Sequence, residues 1–152
     1  MNASDLPILA IEDNHEDYES MVRVFTRIGL KNPLYRIVLG TDCLDYLERR
    51  MSHQKRASEP LPGLILLDLH LPAIDGFDVL QQIKSNQNFK HIPVIVMSTS
   101  DNPRDIRKCY DLGANGYMVK DADYDKYTES LKTLAHYWLD CISLPEPTYM
   151  SH

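Results

Sequence analysis

Cysteine is scarce in this chain. There are three in 152 residues, Cys43, Cys109 and Cys141, odd in number and far apart. That spacing makes neither a disulfide framework nor a zinc pattern, and it fits a reducing cytoplasm. Long apolar runs are missing too: none approaches the roughly 20 residues that a membrane helix needs. Met1 to Pro7 is polar and acidic, which argues against a signal peptide and for a cytoplasmic protein away from the membrane. Positive charge is in deficit, with 16 Lys and Arg against 22 Asp and Glu and a net charge of -6. Nucleic-acid-binding domains carry a basic footprint, so nucleic acid is not an expected partner. No internal repeat or second domain is visible, and the length suits one well-buried domain.

What is present is an alternation of short apolar runs and amphipathic stretches. Ile8 to Ile11 reads as a strand ending at Glu12-Asp13. Asn14 can cap the helix that follows, with Asp17 in capping-box position. Tyr18, Met21, Val22, Phe25 and Ile28 fall at helical spacing before Gly29. Leu34 to Leu39 reads as a second strand, and Thr41 can cap a second helix carrying Leu44, Leu47 and Met51. His53 to Pro62 is a polar loop with Lys55 and Arg56. Leu64 to Leu67 is a continuous apolar run ending at Asp68, as in a strand buried on both faces of a parallel sheet.

Asp75-Gly76 marks a turn into a third helix that runs to about Ser85. Val94 to Met97 is a fourth strand ending at Ser98. Ser100 or Asp101 can cap a fourth helix with Pro103 in its first turn and Gly113 after its end. Gly116 to Val119 is a fifth strand ending at Lys120. A last helix carries Tyr124, Tyr127, Leu131, Leu134 and Trp138 on one face. Strand and helix repeated five times predict an α/β fold, a doubly wound parallel five-stranded sheet. Leu144 to His152 reads as an extended tail. The stripe continuing through Leu139 and Ile142 exceeds what one sheet needs and suggests an oligomer contact.

Glu12, Asp13, Asp68, Ser98 and Lys120 each follow directly on a strand. In an open α/β sheet such positions converge on one rim, outside the carboxyl ends of the strands. Three carboxylates that close together either take up protons or hold a cation. An oxygen-only ligand set favours a hard ion such as Mg²⁺. Asp68 is the natural nucleophile for a phosphoryl group, Ser98 a hydrogen-bond partner for its oxygens, and Lys120 the opposing charge. His15, His53, His91 and His136 have no metal-ligand spacing and read as surface residues.

The strings Ile11-Glu12-Asp13-Asn14, Leu66-Leu67-Asp68-Leu69-His70-Leu71-Pro72 with Asp75-Gly76, Ser98, and Tyr117-Met118-Val119-Lys120 resemble the receiver domain of two-component response regulators. The resemblance spans about Leu6 to Leu139 and implies a flavodoxin-like (βα)5 fold. It implies that Asp68 is phosphorylated by a histidine kinase. It implies that Asp13, Asp68 and the backbone carbonyl of His70 bind Mg²⁺, with Glu12 acting through water. It also implies that Ser98 and Tyr117 report the phosphorylated state. The 53–62 loop, Trp138-Leu139 and the Ile142 to Pro145 tail further resemble the small regulators that pair with cyanobacterial phytochromes. The receiver is expected over residues 1–140, and the apolar end of the last helix together with the tail, 141–152, motivates a dimerisation arm. A homodimer would then form through helix four, strand five, helix five and the tail, with an unknown protein downstream.

Two positions depart from the family pattern. Asp121 stands where Pro usually follows the lysine, and Thr99 stands where a small residue follows the switch hydroxyl. They motivate the alternative reading, a receiver-like interaction module whose phosphorylation is lost or slow. A turnover phosphatase with Asp-x-Asp chemistry is disfavoured, because His70 occupies the second position.

Overall fold

The computed structural model describes residues 6–52 and 60–146. Its strands are β1 (Ile8–Ile11), β2 (Leu34–Ile37), β3 (Leu64–Asp68), β4 (Val94–Ser98) and β5 (Gly116–Val119). They alternate with α1 (His15–Arg27), α2 (Cys43–Ser52), α3 (Gly76–Ser85), α4 (Pro103–Asp111) and α5 (Tyr124–Ala135). All strand pairs are parallel, in the order β2-β1-β3-β4-β5. This is the doubly wound sheet that the alternation predicts, in the flavodoxin-like form that the resemblance implies. The order reverses at β1 and β3, so a crevice opens at their carboxyl ends.

Side chains leave successive strand positions on opposite faces, and the continuous apolar runs supply both faces. Leu9, Ile11, Ile65, Leu67, Val94 and Val96 pack with Leu47, Val79, Leu80 and Cys109 on the side of α2, α3 and α4. Ile8, Ala10, Leu64, Leu66, Ile95 and Met97 pack with Met21, Val24, Leu131 and Leu134 on the side of α1 and α5. Burying one such Leu or Ile stabilises by about 1.5–3 kcal/mol. Charges in the helices follow the macrodipole throughout. Acids occupy each first turn, for example Glu16, Asp78 and Asp125, and bases each last turn, for example Arg27, Lys84 and Lys132. Since every helix starts at the carboxyl ends of the strands, the site lies at an acidic pole.

Several boundaries differ from expectation. β2 stops at Ile37, leaving Val38 and Leu39 exposed, because its neighbour β1 ends at Ile11, the partner of Ile37. Thr41 is no cap: it lies in a 3-10 turn, Gly40–Asp42, that leads into α2. Asn102, and neither Ser100 nor Asp101, caps α4. Pro103 takes the first helical position and so fixes the cap one residue before it. Ser100 instead donates to Asp105 Oδ2 at 2.6 Å.

The end of the 53–62 loop is core rather than polar surface. Pro60, Leu61 and Pro62 are buried, while His53 to Glu59, with Lys55 and Arg56, lie outside the described residues. His91 is half-buried beside Lys84 rather than on the surface, and burial depresses its basicity. Beyond α5 a π-helical turn, His136–Cys141, carries Leu139 back into the core, so this residue is absorbed within the chain. Leu144 also packs on that core. The rest of the tail expectation, residues 147–152, lies outside the described residues. Among the described residues no helix is long and apolar enough to cross a membrane.

Candidate functional site

β1 and β3 deliver the acids. Glu12 and Asp13 follow β1, and Asp68 is the last residue of β3. One carboxylate oxygen from each lies within 4.8 Å of the others. Glu12 and Asp68 are buried, whereas Asp13 is exposed at the mouth. The backbone that carries Glu12 and Asp13 is fixed from the edge of the sheet. Arg36, on β2, donates from Nε to the Glu12 carbonyl at 2.9 Å and from Nη2 to the Asp13 carbonyl at 3.1 Å. Its guanidinium lies 5.0 Å from the Tyr18 ring centroid.

β5 delivers Lys120, whose backbone N–H is held on the Ser98 carbonyl at 2.7 Å. Its side chain is 8% exposed, and Nζ reaches three carboxylates: Glu12 Oε1 at 2.6 Å, Asp17 Oδ2 at 2.8 Å and Asp68 Oδ2 at 3.2 Å. An ammonium has three hydrogens, and all three are engaged. The other Asp68 oxygen, Oδ1, accepts the His70 backbone N–H at 3.0 Å.

The environment separates the two buried acids. Burial, with a hydrogen bond to Asp68, pushes the Glu12 carboxyl up to about 8. Burial also opposes charge on Asp68, but the bond to Glu12, the Lys120 ammonium and the His70 N–H outweigh it and hold Asp68 below the usual range. Glu12 is therefore the more easily protonated of the pair and Asp68 the more easily ionised. Burial disfavours the Lys120 cation as well, yet Glu12 and Asp68 override it and raise its pKa.

Ser98 and Tyr117 stand one step away. Ser98 is buried at the end of β4, and its Oγ accepts the Ser100 N–H at 3.1 Å, facing the loop before α4. Tyr117 on β5 donates its hydroxyl to the Ser100 carbonyl at 2.8 Å. Thus Ser98 and Tyr117 both bond to Ser100, and the Lys120 backbone N–H ties the acidic cluster to Ser98. Asp121 does not join the acids through its bonded oxygen: Oδ1 turns to the Asp123 N–H at 2.8 Å, which starts α5. Among the described residues no peptide bond is cis, the Lys120-Asp121 bond included. Thr99 is exposed.

Sequence reasoning assigns no site role to Asp17 or Arg36. Asp17 reads as a capping-box residue, and its backbone N–H does bond Asn14 Oδ1 at 2.9 Å, but its carboxylate reaches Lys120 across 103 residues of chain. Arg36 acts on backbone carbonyls, which leave no side-chain pattern to read.

Residues 8–132 match the response regulator receiver domain family. The chain belongs to that family. It is a receiver domain and not a turnover enzyme. It is 32% identical over 138 residues to the response regulator Rcp1 of Synechocystis sp., covering 91% of this chain and 92% of that one. It is 33% identical over 140 residues to the probable methanogenesis regulatory protein FilR2 of Methanothrix harundinacea, covering 92% and 88%. Among solved structures, the phosphorylated cyanobacterial phytochrome response regulator RcpA superposes with a TM-score of 0.83 at 35% identity, over 93% of this chain and 99% of that one. The Mn(2+)-bound form of Rcp1 gives 0.82 at 31% identity, over 92% and 99%. The acidic trio of this receiver is a set typical of a divalent-metal site, and a receiver implies a histidine kinase as partner.

Proposed function

We propose that this receiver accepts a phosphoryl group on Asp68 from a histidine kinase of the phytochrome type and signals by association with other proteins. The observation that carries the reading is geometric: Asp68 ends β3 with one carboxylate oxygen 3.2 Å from the Lys120 ammonium, in a group with Glu12 and Asp13 whose oxygens lie within 4.8 Å of one another. An Asp68 oxygen attacks phosphorus, the P–N bond of the donor phosphohistidine breaks, and its electron pair returns to the imidazole. Lys120 balances the charge that arrives on the phosphoryl oxygens.

The acids fit Mg²⁺: they are hard oxygen donors, one of them open to solvent, with no thiolate or imidazole in the group. Asp13, Asp68 and the His70 carbonyl would hold the ion, with Glu12 acting through water. When bound, it neutralises charge between the carboxylates and the incoming phosphoryl oxygens. The similarity to RcpA and Rcp1 supports the phytochrome assignment of the kinase.

Ser98 and Tyr117 are the reporting pair in this reading. Both bond to Ser100, so drawing the Ser98 hydroxyl toward a phosphoryl group disturbs the loop that holds the Tyr117 hydroxyl. Tyr117 lines a cleft with Tyr110, Met118, Tyr137 and Trp138 between α4, β5 and α5. Tyr110 and Tyr137 are half exposed there. This is the face on which a homodimer or a downstream protein would read the state, with residues 1–140 as the receiver and 141–152 contributing to the contact. The test is phosphotransfer from purified phytochrome-type kinases to the wild type and to Asp68→Asn, followed by sedimentation of the products. Transfer to the wild type alone, with a change in mass on phosphorylation, supports the reading. Transfer that survives Asp68→Asn contradicts it.

A further inference from the structure

Among the described residues, Asp17 is the one partner of the Lys120 ammonium that no strand end supplies. It sits in the first turn of α1, its side chain is 35% exposed, and its 2.8 Å contact is shorter than the 3.2 Å contact between Lys120 and Asp68. All three ammonium hydrogens are used, so any new acceptor must displace an existing one. A phosphoryl group on Asp68 would bring several anionic oxygens to that side of Lys120. Glu12 is buried at the floor with Lys120, whereas Asp17 stands at the rim, where water can take over its solvation. Asp17 is thus the acceptor released at least cost, and its hold on Lys120 is what the incoming group must overcome.

We infer that Asp17 is a positioning residue that tethers Lys120 in the resting state and sets the cost of handing its ammonium to a phosphoryl group on Asp68. The inference rests on Asp68 being the acceptor. It makes Asp17 an opponent of the activated state: weakening the tether favours the occupied site. Releasing a part-exposed, charge-assisted hydrogen bond corresponds to about a three- to tenfold effect on affinity.

The test uses beryllofluoride with Mg²⁺ as a phosphoryl mimic, titrated by ¹⁹F NMR against the full chain, with the Lys120 ammonium followed by ¹⁵N NMR. Asp17→Asn should bind the mimic about three- to tenfold tighter and shift the Lys120 ammonium signal in the unliganded protein. Asp17→Glu, which keeps a carboxylate for Lys120, should return both readouts toward wild type. Glu16→Gln removes a neighbouring, exposed charge with no contact to Lys120 and should change affinity by less than about twofold. Equal tightening in Glu16→Gln would reduce the effect to general repulsion and overturn the proposal. Unchanged or weaker binding in Asp17→Asn would overturn it as well. A wild type that fails to bind, or an Asp68→Asn variant that binds equally, would instead remove the acceptor role of Asp68, and this inference with it.

Discussion

Gly76 packs so tightly on the strand that ends in Asp68 that a Cβ there would lie 2.5 Å from the Asp68 carbonyl oxygen and 2.5 Å from the Leu69 Cα. Both are backbone atoms, which cannot rotate away. The Gly76 N–H closes the contact by bonding the Leu69 carbonyl at 2.9 Å. Gly76→Ala must therefore push α3 away from β3 at the residue after Asp68. It should cost about 1–3 kcal/mol, the usual penalty of overpacking, read from the urea midpoint. Divalent-cation affinity should fall in the same variant. Wild-type stability would show that the loop yields freely.

Arg36 is the outer support of the acidic cluster. Arg36→Met keeps much of the stem but loses the bonds to the Glu12 and Asp13 carbonyls. Loss of such supporting contacts costs about 10- to 100-fold in metal affinity elsewhere. Titration with Mn²⁺ by proton relaxation should show weakening within about that range, with the fold intact by circular dichroism. Equal affinity in the two proteins would mean that the strand end holds itself.

Lys84 gives a pH dependence away from the site. Burial depresses its pKa from 10.5 to about 8, while Nζ donates to the Lys90 and Ile92 carbonyls at 3.0 and 2.8 Å. Between those two pH values the unfolded chain holds a proton that the folded chain has released, so stability rises with pH through that window and levels off above it. Wild-type stability minus that of Lys84→Met, measured by urea unfolding, should increase from about pH 8 to about pH 10.5. A difference flat in pH would place the lysine at its ordinary pKa.

The fold was legible because parallel strands covered on both faces are continuous apolar runs, and the runs of β1, β3, β4 and β5 each end in a polar residue. Those polar residues marked the rim of the sheet and so most of the candidate site. Less legible was anything decided by a neighbouring element. Val38 and Leu39 look like strand, but pairing ends where β1 ends. Leu139 looks surplus to one sheet, yet the π-helical turn returns it to the core. Asp17 satisfies a local capping pattern so well that nothing in the string announces its bond to Lys120. Two residues can share a helix turn in sequence and serve different ends of the molecule in space.

Everything proposed for the site depends on Asp68 being the acceptor. The most direct test of that role is intact-protein and peptide mass spectrometry after incubation with a small phosphoryl donor and Mg²⁺, for the wild type and Asp68→Asn. A single added phosphoryl group is expected on the peptide containing Asp68, lost on mild alkaline treatment, dependent on Mg²⁺ and absent from Asp68→Asn. Labelling of the variant to the same extent, or a label on any other residue of the wild type, would contradict it.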